Sequence, residues 1–139
     1  MTDNLLRERA ADAIEEVIAC TDACLATGEP TGSLRATVVA VRETLLTIAD
    51  AVRKGRELVV EVPAPHPGTE AGPGYSMAAA MARLARATSR RAGHELRAVP
   101  GIHASVLDYV TGLPNLLGVI AEDLDAEEAQ SVPSGMCLP

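Results

Sequence analysis

The chain has 139 residues, a size that suits one domain burying roughly two thirds of its unfolded surface. Its 47% hydrophobic content argues against wholesale disorder, and its net charge of −7 argues against a general affinity for phosphate backbones or anionic membranes. There is no Phe or Trp and only Tyr75 and Tyr109 are aromatic, so platforms for stacking bases are missing and the core must be built from Leu, Val, Ile, Ala and Met.

The first patterned segment runs from about Asp3 to Thr27. Leu6, Ala10, Ala13, Val17, Cys20 and Cys24 advance in steps of four and three, and Ile14, Ile18 and Leu25 widen that seam into a core-facing stripe. Gly28, Glu29 and Pro30 stop it. In the second segment Leu34, Val38, Val41, Leu45, Ile48 and Val52 keep the same rhythm, with Thr31 or Ser33 as candidate caps and Gly55 as the close. The helical spacing outweighs the strand propensity of Val38, Val39 and Val41.

Leu58 to Val62 is a short β-like run ending at Pro63, and it reads as an extended connector because no second strand pairs with it. Residues 63–74 carry seven Pro and Gly among twelve and predict a loop between two helical hairpins. Ser76 caps a third helix to about Ala98, with Met77, Met81, Leu84 and Thr88 on one face, and Pro100 with Gly101 ends it. The fourth helix takes Ile102, Val106, Tyr109, Leu113, Leu117, Ile120 and Leu124, and the interior Pro114 predicts a kink or a break.

These elements predict an all-α fold: an antiparallel four-helix bundle over residues 1–128, with a Pro/Gly-rich loop between helices two and three. A flexible C-terminal tail follows at 129–139. No apolar run of about 20 residues stands out as a membrane span, and the N-terminus lacks the pattern of a signal peptide. The expected setting is therefore cytoplasmic, with Cys20, Cys24 and Cys137 as reduced thiols.

Cys20 and Cys24 stack one helical turn apart, a poor geometry for a disulfide but a plausible thiolate pair for a soft ion such as Cu(I). Met77 and Met81 repeat that spacing on the third helix and bring thioethers, which are also soft ligands. The four are the candidate metal residues, weighed against simple core packing. The stretch from Ala19 to Leu25, followed by a turn and Leu34-Arg35, resembles part of the cysteine-rich four-helix-bundle copper-storage proteins. That resemblance implies Cu(I) held by CxxxC thiolates in the bundle core. It covers about twenty residues, and the other three helices carry no cysteine, so it implies at most a cysteine-poor relative.

The remaining candidates carry less chemistry. His66 falls in the loop, while His94 and His103 flank the turn between helices three and four, which favours capping or surface roles. Arg83, Arg86, Arg90 and Arg97, with Arg91 beside them, form a basic stripe fit for an anion, an acidic partner or the acids near the end of helix four. No catalytic residue, HExxH, zinc spacing or phosphate-binding loop stands out. The leading expectation is a non-catalytic helical bundle acting through self-association or a protein partner, with no nucleic acid and no membrane. The alternatives are Cu(I) binding through Cys20, Cys24, Met77 and Met81, and a small all-helical enzyme acting on an anionic substrate.

Overall fold

The computed structural model describes residues 2–64 and 76–131, with side chains as far as Glu127. Among these residues it is all-helical, with four helices and no strand: α1 (Asp3–Ala26), α2 (Gly32–Lys54), α3 (Met77–Arg97) and α4 (Ala104–Ser131). The predicted Pro/Gly-rich loop lies outside the described residues from Pro65 onward. So do His66, Tyr75, Cys137 and residues 132–139 of the expected tail; 129–131 continue α4.

The helix ends follow from local chemistry. The Thr2 hydroxyl accepts from the Leu5 N–H at 3.3 Å and opens α1. Thr31 occupies the N-cap of α2 without a side-chain hydrogen bond, so the expected cap there is one of position only. Ser76 caps α3 by accepting from the Ala79 N–H at 3.0 Å. Gly55 closes α2 at φ 68°, a left-handed conformation that costs glycine little, and the Arg7 side chain lies against the face that a side chain would occupy. α4 begins two residues later than its apolar pattern, at Ala104, after His103.

The helix contacts are compatible with a bundle. α1 packs against both α2 and α3, and α3 packs also against α4, whereas α2 and α4 meet only lightly. The core draws Ile14 and Val17 from α1, Leu45 and Ile48 from α2, Leu96 from α3, and Leu113, Leu117 and Ile120 from α4. Fully burying each such side chain is worth about 1.5–3 kcal/mol.

α3 departs from the expected pattern. Its buried face is Ala78, Ala79, Ala82, Ala85, Ser89, Ala92 and Gly93, with Leu96 as its one large buried residue, while Met77 and Leu84 are 59% and 48% exposed. These small residues make a thin face that lets α1 and α4 approach closely. Met77 and Leu84 are left outside, while Met81 is half-buried against the core.

Pro114 sits inside α4, and the helix continues through it to Ser131, so there is no break in the chain's helical course. Contrary to the expectation that no spanning segment exists, Ala104–Glu127 is long and apolar enough to cross a membrane by length and composition, with a mean hydropathy of 1.3. Helices that supply a core on one face meet the same criterion, and α4 buries Val106, Val110, Leu113, Leu117, Ile120 and Leu124.

Candidate functional site

Because α2 and α4 do not close on one another, the molecule has an open side. There the chain leaving α2 continues from Arg56 to Ala64 without helix or strand, and from Leu58 onward it lines a cleft of about 880 Å3. α2 contributes Leu34, Thr37, Val41 and Thr44 to its walls, and α4 contributes Tyr109, Leu116 and Ile120. The volume falls within the range of about 300–1,000 Å3 typical of binding sites. Glu61 and Asp123 also line it, which makes its charged groups acidic.

Along this strap burial alternates only from Leu58 to Val60, and the chain is exposed from Glu61 onward. Leu58 and Val60 are half-buried against the core, while Val59 is 66% exposed and Val62 42%. Its anchor is polar. The Val60 N–H donates to Ser105 Oγ at 3.0 Å, and that hydroxyl lies 2.8 Å from His103 Nδ1. His103 Nδ1 accepts from the Ser105 N–H at 3.0 Å, so the imidazole caps α4 in its Nε2–H tautomer, leaving the serine hydroxyl to donate to Nδ1 and accept from the strap. Tyr109 adds a link across the cleft: its phenol bonds to Thr44, and burial pushes its pKa above the ordinary tyrosine value, with the Thr44 bond acting in the opposite sense.

Of the four candidate sulfur residues, the structure buries Cys24, half-buries Cys20 and Met81, and leaves Met77 largely in solvent. Cys20 and Cys24 are free thiols. Burial, with the nearby Glu29 carboxylate adding to it, pushes the Cys24 pKa to about 11, which favours its protonated form. Cys20 Sγ faces α3, 4.0 Å from Thr88 Oγ1. Among the described residues no three His, Cys, Asp or Glu side chains group as metal ligands; a site of two thiols and a thioether falls outside that criterion.

The arginine stripe on α3 divides. Arg83 pairs with Asp125, which is 8% exposed, across the α3–α4 contact. Arg91 pairs with Glu16 of α1 at 2.9 Å. Arg86 is half-buried, with its Nε lacking a hydrogen-bond partner. Arg90 and Arg97 line a recess between α3 and α4 together with His94. His103 lines a different recess with Val52, Arg56 and Leu58, so the two histidines flanking the turn serve separate surfaces.

Sequence reasoning passed over Ser105, Thr44 and Glu29. The signal for the cleft was present on α2, where Thr37, Ala40, Thr44 and Thr47 recur in steps of three and four beside the apolar seam and line the opening. Compared with known protein families, curated proteins and solved structures, the chain matches none.

Proposed function

We propose that this chain is a non-catalytic helical-bundle protein that works by association, first of all with a second copy of itself, through the open side between α2 and α4. In this reading the helices form an antiparallel bundle, which for α1 and α2 is supported by Arg42–Asp22 and by the pairing of Arg53 with Asp12 and Glu15 at 3.2 and 2.8 Å, since the later α1 position meets the earlier α2 position. The single observation that carries the functional reading is the strap. Its backbone, which this reading takes as extended, has no strand partner among the described residues, and Val59 and Val62 are exposed where it lines the cleft.

An unpaired extended segment offers N–H and C=O groups to another chain. Two copies related by a two-fold axis can pair their straps antiparallel, cover Val59 and Val62, and close the contact without propagating it. The net charge of −7 supports a protein partner over nucleic acid or an anionic membrane, and a cytoplasmic setting with reduced thiols belongs to the same reading. Sedimentation over a wide concentration range tests it. A reversible dimer is expected, shifted to monomer in Val59→Glu/Val62→Glu with the circular dichroism spectrum unchanged; a wild-type chain monomeric at millimolar concentration sinks the reading.

A second reading, Cu(I) binding, draws support from the packing of α1 on α3, which sets Cys20 against α3 while Cys24 and Met81 pack with the same core. The resemblance to copper-storage proteins belongs with it. Anaerobic titration with Cu(I) against a competing chelator decides: uptake lost in Cys20→Ala/Cys24→Ala supports it, and no uptake leaves the sulfurs as packing.

A further inference from the structure

The recess between α3 and α4 combines features that the bundle's packing does not require. Arg90, His94 and Arg97 stand at i, i+4 and i+7 on α3, hence on one face, and span about 10 Å at 1.5 Å per residue. Gly93 lies among them and presents no side chain. The position its Cβ would take is 3.9 Å from Val110 Cγ1, the only non-local atom within 4 Å, so the wall is hollow there. Pro114 forms the facing wall on α4, with Val110 and Thr111, and the hollow measures about 180 Å3. Proline has no N–H to satisfy the carbonyl one turn before it, so this stretch of α4 departs from regular helix bonding.

The charges around the hollow are one-sided. No acidic side chain of the described residues lines it, and Arg90, His94 and Arg97 make no ion pair among them. By contrast Arg83 and Arg91, on the same helix, are each paired with a carboxylate. Arg97 is already drawn across the recess, with Nη2 3.5 Å from Thr111 Oγ1. In a chain of net charge −7, a hollow with three nitrogen-bearing side chains and two hydroxyl residues, Ser89 and Thr111, is a local reversal of sign. At physiological salt, screening over about 8 Å makes the local groups outweigh the distant net charge.

We propose that Arg90, His94 and Arg97 form a binding site for a phosphate-type oxyanion, free or as the monoester of a small molecule. Guanidinium forks match tetrahedral oxyanions with paired, charge-assisted hydrogen bonds, and the imidazole donates in either tautomer. Thr111 Oγ1 is placed to donate once Arg97 turns to the anion. The site is separate from the strap and the cleft, so it stands whether or not the chain self-associates.

The test follows backbone amide shifts of the full isotope-labelled chain on titration with inorganic phosphate and, separately, phenyl phosphate, each against chloride at matched ionic strength. Saturable shifts confined to residues 89–97 and 110–113 are expected, with affinity falling at least tenfold in Arg90→Gln/Arg97→Gln and unchanged in Arg91→Gln. Arg90→Gln alone serves should the double variant fold poorly. Tighter phenyl phosphate assigns the site to a monoester, and equal or tighter inorganic phosphate assigns it to the free anion. Shifts that track ionic strength equally for chloride and phosphate, or an affinity that survives loss of both arginines, overturn the proposal.

Discussion

The Glu29 carboxylate, in the turn between α1 and α2, accepts a hydrogen bond from the Ala78 backbone N–H at 2.9 Å. The start of α3 is therefore capped twice, once by its own Ser76 and once by a residue 49 positions earlier. A carboxylate at a helix N-terminus satisfies an orphan donor and meets the positive end of the helix dipole. Replacing Glu29 by Ala is expected to lower stability by about 0.5–2 kcal/mol, read as a drop in melting temperature of roughly 2–8 °C. Ser76→Ala should cost a similar amount, and both together at least the sum.

Arg83 and Asp125 are the most enclosed ion pair among the described residues, with side chains 22% and 10% exposed. Removing Asp125 takes from the Arg83 guanidinium its carboxylate partner. Asp125→Ala is expected to destabilise toward the lower end of the roughly 3–5 kcal/mol found for broken buried pairs, while Arg83→Met/Asp125→Leu should cost markedly less. Chemical denaturation of the two variants and the wild type gives the comparison, and equal losses would place the pair's contribution in packing alone.

The raised pKa of Cys24 fixes the sign of a pH effect. The thiol titrates at its ordinary value of 9.0 when unfolded and at about 11 when folded. Between these values the unfolded chain has lost a proton that the folded chain retains, so stability falls as pH rises from about 9 to about 11. The loss stays below about 3 kcal/mol. Cys24→Ala should remove this part of the alkaline slope, and Cys24 should be alkylated much more slowly than Cys20 at pH 8.

Ser105 holds the strap. Ser105→Ala leaves the Val60 N–H without its acceptor and the His103 Nδ1 without the serine hydroxyl. Global stability is expected to fall by about 0.5–1.5 kcal/mol. The sharper reading is hydrogen exchange, where the Val60 amide should lose protection far more than amides of α1 do.

The alanine face of α3 can be tested by enlargement. Ala82→Leu and Ala85→Leu place an isobutyl group where the residues are 2% and 0% exposed, and each is expected to cost about 1–3 kcal/mol. Ala80→Leu, on the exposed face, should be within about 0.5 kcal/mol of the wild type.

Much of this architecture is legible in the amino-acid order, and its gaps have identifiable causes. The seams of α1, α2 and α4 are written in large aliphatic residues at helical spacing, so Ile14, Leu45, Ile48, Leu113 and Leu117 fall where the rhythm places them. On α3 the core face is mostly alanine, and the expected stripe lies at its edge: Met77 and Leu84 are exposed, while Met81 and Thr88 are half-buried. That Leu58 to Val62 would connect without pairing as a strand was readable from the lack of a second strand in the sequence. The strap's hold on Ser105 was not, since the two are 45 positions apart and one hydroxyl among many carries no local mark. The arginine stripe was visible, but its division between paired and pocket-lining members depends on which acids the other helices bring alongside.

The uneven closure of the helices carries a consequence for motion. Local opening costs least where the fewest apolar contacts must be broken. The side where α2 and α4 barely touch, tethered at Ser105, is therefore expected to exchange its amides at lower cost than the alanine-lined contact between α1 and α3. The protein has in effect a hinge spine and a seam that can part. Any molecule small or supple enough to enter would do so there, without asking the rest of the fold to yield.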